Sequence, residues 1–139
     1  MLQLSMVTLG VKDIAAATAF YERLGLKRSA ASQESVSFFQ LAGGVLGLFG
    51  REALAEDGNV GAVWTGNGGV TLAYNLPSEA EVDAMMAEAA GSGATILKPA
   101  QKAFWGGYHG YFADPDGHVW EIAYNPFFPV DENGAVTLP

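Results

Sequence analysis

Two aromatic pairs, Phe38-Phe39 and Tyr111-Phe112, stand 73 residues apart, and the same offset sets Gly44 over Gly117 and Leu48 over Glu121. A chain of 139 residues that carries one plan twice has few ways to fold. A half of this size cannot cover both faces of a twisted sheet by itself, so the two halves must share their apolar surfaces. The length suits one domain made of two such halves, burying roughly two-thirds of its unfolded surface.

The first half, 1–51, opens with a strand over Leu2–Val11. Ile14, Ala17, Tyr21 and Leu24 recur at helical spacing, with Asp13 as N-cap and Gly25 as stop. Strands are expected at Lys27–Ala31, Ser35–Ala42 and Val45–Arg51. Residues 52–68, broken by Asp57-Gly58, Asn59, Gly61, Gly66, Asn67 and Gly68, read as a joining loop, in which Trp64 either covers a cleft or pins the loop down. The second half, 69–125, repeats the order: a strand over Gly69–Leu76, a helix over Ser78–Ala90, a short strand at Thr95–Lys98, and a hairpin. Ser78 and Glu81 form a capping box. Val82, Met85, Met86, Ala89 and Ala90 make the apolar stripe, the two methionines as gap-filling core. The fold class is α+β: two βαβββ modules pairing into one incomplete barrel around a cleft, helices outside.

The hairpin occupies Tyr108–Asn125. Asp114-Pro115-Asp116-Gly117 is a turn tetrad flanked by aromatic and β-branched runs, and both aspartates are expected as exposed turn formers. Alternation puts His118, Trp120, Ile122 and Tyr124 on one face of the last strand and Val119, Glu121 and Ala123 on the other. Trp120 and Ile122 suit the core. Glu121 therefore lies opposite, solvated or in a polar cleft, because an unpaired buried carboxylate costs several kcal/mol. His109 and Glu121 can pair across adjacent strands as a structural couple, as a ligand-binding pair, or as a base with Tyr111 as proton donor.

Gly110-Tyr-Phe-Ala-Asp-Pro-Asp-Gly-His-Val-Trp-Glu121 resembles the C-terminal signature of the vicinal oxygen chelate superfamily, which includes glyoxalase, bleomycin-resistance proteins, fosfomycin-resistance enzymes and extradiol dioxygenases. Val11-Lys-Asp-Ile14 and Phe20-Tyr-Glu-Arg-Leu-Gly-Leu26 resemble its N-terminal module. In metal-dependent members the position of Glu121 is a metal ligand, that of Tyr111 often touches the bound molecule, and that of His109 can face the same cleft. The resemblance places Met6 and Leu48 at the first module's ligand positions and Val70 near the third, leaving Glu121 as the one oxygen donor. Hard divalent cations and zinc take several oxygen or nitrogen donors, so no metal or other cofactor is expected. The cleft is expected to be lined by Met6, Thr8, Phe38, Leu48, Val70 and Leu72, with His109, Tyr111 and Glu121 as its polar corner and Phe104, Trp105 and Tyr108 as an aromatic rim.

Charge narrows the partners. Fifteen acidic against seven basic residues give a net charge of −8, which repels nucleic acid and anionic membrane. There is no cysteine, so thiolate chemistry, disulfides and Cys-ligated zinc are excluded. With no apolar run long enough to span a bilayer, the expected setting is cytoplasmic. In the tail, 126–139, Pro126 and Pro129 keep Phe127 and Phe128 out of a central strand, so these rings pack on their own domain or across a homodimer. The preferred function is metal-independent binding of a small organic molecule. The alternatives are a metal-dependent lyase, isomerase or dioxygenase with a non-standard site, and a dimeric scaffold.

Overall fold

The computed structural model describes residues 4–57, 70–136 and 138. Leu2, Trp64, Gly69 and the glycines of the expected joining loop lie outside these. The chain divides into two compact units, Met1–Gly68 and Gly69–Pro139.

In the first unit, β1 (Met6–Val11) runs parallel to β3 (Val45–Gly50), and β2 (Val36–Gln40) pairs antiparallel on the other side of β3. Helix α1 (Ile14–Arg23) starts where Asp13 Oδ1 accepts the Ala16 amide at 3.0 Å. It stops at Gly25, whose φ of +94° lets the Leu26 amide reach back to the Tyr21 carbonyl. The helix covers one face of the sheet: Thr18 Oγ1 lies 2.7 Å from Ser37 Oγ, and the Tyr21 ring packs on Phe39. Register puts Leu9, Leu46 and Leu48 on that same face, all buried. Met6, Thr8, Phe38 and Gly47 therefore point the other way.

Two expectations for this unit fail. Lys27–Ala31 is no strand; it keeps a single bridge, Arg28 to Phe39. Ser29 Oγ accepts the Ala31 amide and the Ser29 carbonyl accepts the Ser32 amide, so local turn bonds replace a ladder. Glu52–Asp57 is not loop but the body of helix α2 (Arg51–Asp57). Arg, Glu, Ala and Leu are strong helix formers, and the breakers that suggested a loop begin where this helix ends.

The second unit holds a four-stranded sheet in the order β4-β7-β6-β5, from β4 (Leu72–Asn75), β5 (Thr95–Lys102), β6 (Tyr108–Ala113) and β7 (Val119–Tyr124). β4 runs parallel to β7; the other pairings are antiparallel. Helix α3 (Glu79–Gly91) begins at Ser78, whose Oγ accepts the Glu81 amide and donates to Glu81 Oε2. The glutamate thus returns to the capping hydroxyl, where the sequence suggested a backbone amide. Val82, Met86 and Ala89 are buried, whereas Met85 is half-buried and Ala90 exposed, so the stripe is narrower than expected. Gly110 lets helix and sheet meet: a Cβ there would stand 2.8 Å from Met86 Cε and 3.0 Å from the Lys98 carbonyl. β5 continues past Pro99 to Lys102, beyond the expected end at Lys98. It is an edge strand with register shifts around the proline, where a missing amide is tolerated.

The hairpin turn is held by Asp114, whose Oδ1 accepts the amides of Asp116 and His118. Asp114 is a turn former but buried, not exposed. In the tail the Phe127 ring lies over Gly106. Among the described residues no helix is long and apolar enough to cross a membrane.

Candidate functional site

Alternation along β6 and β7 decides which side chains meet. Gly110, Phe112, Trp120 and Ile122 face α3: Gly110 lies under Met86, Phe112 stacks on Trp120, and Gly110 pairs with Ile122. The residues between them, His109, Tyr111 and Glu121, emerge on the opposite face, with Tyr111 directly across from Glu121. Glu121 Oε2 takes two bonds there, from His109 Nδ1 at 2.7 Å and from the Tyr111 hydroxyl at 3.0 Å. The imidazole side chain is 10% exposed and the carboxylate 23%. This is a half-sheltered polar corner.

Trp105 completes it. Its ring lies over the bare backbone of Gly107, where a Cβ would collide with it, and stands edge-on to His109 at 5.3 Å between centroids. His109 is in turn edge-on to Tyr111, also at 5.3 Å. Burial first, then the Glu121 hydrogen bond and charge, push the Tyr111 phenol above its ordinary value, so it remains a donor at neutral pH.

The structure removes several side chains from the expected lining. Tyr108 has the parity of Gly110 and points to the helix side, donating to Asp83 Oδ1 at 2.6 Å. Leu72 pairs with Trp120 and so shares the α3 face; Ala73 is the residue across from Glu121. Val70 precedes β4 and is exposed. Phe104 is fully exposed and makes no rim. Leu48 pairs with Ser37 under α1, on the opposite face from Phe38. A one-residue difference explains this last case. Phe38 pairs with Gly47 as Tyr111 pairs with Glu121, so the 73-residue offset that matches β2 to β6 becomes 74 from β3 to β7. Gly47, not Leu48, holds the place of Glu121. Met6, Thr8 and Phe38 do share the face away from α1, with Thr8 and Phe38 flanking Gly47.

Two residues went unnoticed in the sequence: Lys98 and Gln101 pair with Tyr111 and His109 from β5. Alternation would have found them, but the shift around Pro99 hides the register.

The described side chains at this corner do not fit a divalent ion. Among the described residues no three His, Cys, Asp or Glu side chains converge, and none of residues 1–3, 58–69, 137 and 139 is of those types. His109 and Glu121 bond each other, and the partner positions on β3 and β4 are Gly47 and Ala73. Such ions take more donors than this.

A sequence model of the Glyoxalase/Bleomycin resistance protein/Dioxygenase superfamily matches residues 3–122. The chain is 38% identical to a glyoxalase-related enzyme from Fulvimarina pelagi, over 99% of both chains, with a TM-score of 0.91. It is 30% identical to a protein from Agrobacterium tumefaciens solved by NMR, covering 89% of this chain and 98% of that one, with a TM-score of 0.74. A lactoylglutathione lyase from the same organism shares the fold at 22% identity, covering 88% and 92%, with a TM-score of 0.68. No curated protein matches.

Proposed function

The chain belongs to the glyoxalase/bleomycin resistance protein/dioxygenase superfamily, and from that premise we propose that it binds a small organic molecule at the His109–Tyr111–Glu121 corner without a divalent metal ion. The observation that carries this reading is the state of Glu121: the side chain at the superfamily's ligand position gives Oε2 to two donors of its own sheet. A carboxylate so held is an orienting group. Aromatic surface beside a few convergent polar atoms is the usual make-up of a small-molecule site, and Trp105, His109 and Tyr111 supply it within one unit. The glyoxalase or dioxygenase reactions of metal-dependent members would require donors this corner lacks.

A thermal-shift screen against cationic aromatics and thiol adducts tests the reading. A ligand at 100 times its Kd stabilises a protein by about 2.7 kcal/mol, and the shift should shrink in Tyr111→Phe and His109→Ala. A screen with no hit that depends on either residue sinks it. Homodimerisation is a second, separate proposal, supported by the exposure of Phe104, Phe127 and Phe128; light scattering that gives the monomer mass at micromolar concentration would refute it.

A further inference from the structure

Hydrogen-bond inventory at the corner specifies what the ligand must bring. An ionised carboxylate offers lone pairs alone, so the proton shared between His109 and Glu121 sits on Nδ1, which donates to Oε2. The Tyr111 hydroxyl donates to the same oxygen. Both donors of the cluster are thereby committed to Glu121. Besides the Tyr111 oxygen, which keeps lone pairs of its own, two acceptors are left: His109 Nε2, which in this tautomer carries a lone pair, and Glu121 Oε1. Neither bonds another described residue, and no buried side-chain nitrogen or oxygen among the described residues lacks a partner. Both atoms therefore keep contact with solvent.

We propose that the His109–Tyr111–Glu121 cluster meets its ligand with lone pairs, chiefly His109 Nε2 and Glu121 Oε1, and so favours a molecule presenting an amine, amidine or aromatic N–H or O–H donor over carboxylates and phosphates. This rests on the small-molecule reading above and adds the ligand's polarity to it. Glu121 positions the imidazole by fixing its tautomer. Trp105, edge-on to His109, gives a flat or cationic donor an aromatic neighbour. Lys98 on β5 pairs in register with Tyr111 and makes no ion pair with Glu121; it is the cation beside the cluster that a bound anion would meet.

The test has two readouts. Long-range proton–nitrogen NMR on the intact protein, on the alkaline plateau of the imidazole titration, should show His109 with a protonated Nδ1 and a lone pair on Nε2. His118, the other histidine of the chain, is the internal reference. The opposite tautomer overturns the proposal, as does an unchanged tautomer balance in Glu121→Leu. In the second readout, benzylamine, benzyl alcohol and benzoate are titrated while the His109 and Trp105 ring resonances are followed. Benzylamine should bind at least about tenfold more tightly than benzoate, a difference of about 1.4 kcal/mol. Benzoate binding as tightly, and losing that binding in Lys98→Met, overturns the donor rule while the small-molecule reading stands. Failure of all three probes to move these resonances overturns both.

Discussion

Phe38 faces Gly47 across β2 and β3, whereas Tyr111 faces Glu121 across β6 and β7, and the first hairpin is one residue shorter between those partners. Because strand side chains alternate with period two, one residue at a turn exchanges every face beyond it. In the first sheet that puts leucines under the helix and a bare glycine between Thr8 and Phe38. In the second it puts a half-sheltered carboxylate on the face away from α3, between a phenol and an imidazole. The N-caps Asp13 and Ser78 stand 65 residues apart, while Phe38 and Tyr111 stand 73 apart. The second unit therefore has eight more residues between helix start and hairpin, enough for a longer helix and for β5. The first has a turn and a bridge there. A duplicated plan thus yields a packed sheet in one copy and a sheet with a polar corner in the other.

Leu48 separates the two units most sharply. If Leu48 occupied the place of Glu121, Leu48→Glu would be tolerated. Fully buried under α1, it should instead lose more than about 4 kcal/mol, because the charge has no partner there, and chemical denaturation would show a largely unfolded population. Gly110→Ala should cost about 1–3 kcal/mol through overpacking against Met86 and the β5 backbone. Its counterpart Ser37 carries a hydroxyl bonded to Thr18, and Ser37→Ala should cost about 1 kcal/mol. Equal costs at the two positions would mean the helices approach their sheets alike.

Tyr111 sharpens the contrast through pH. Its phenol is raised in the folded state, so the neutral form is favoured on folding. That contribution is present below the unfolded phenol value of about 10 and is lost as pH rises through the folded value. Urea unfolding between pH 8 and 11 should show wild type losing stability faster than Tyr111→Phe, and parallel profiles would contradict the assignment. The smallest effect belongs to Phe104→Ser: on a fully exposed ring it should change monomer stability by less than about 0.5 kcal/mol.

Much of this was legible in the chain. The caps Asp13 and Ser78, the turn at Asp114–Gly117 and the opposition of Glu121 to Ile122 follow from local chemistry and strand period. Each survives because it depends on neighbours a few residues away. What failed depended on register. A constant offset sets Leu48 over Glu121 but does not survive the hairpin turn, and Tyr108, expected in an aromatic rim with Phe104 and Trp105, has the parity of Gly110 and faces α3. The strand expected at Lys27–Ala31 gives way to turn bonds at Ser29, leaving one bridge to Phe39. β5 runs past Pro99, beyond the expected end at Lys98, because it is an edge strand, and the sequence does not say which strand lies at an edge.

Glu121 Oε2 accepts from His109 and Tyr111 of its own sheet, and the proposed function leaves no metal ion there. Metal analysis of protein purified without chelator addresses it directly. The account predicts well under one divalent ion per chain and a melting temperature unmoved by EDTA. About one tightly held ion per chain, lost in Glu121→Ala, would contradict it.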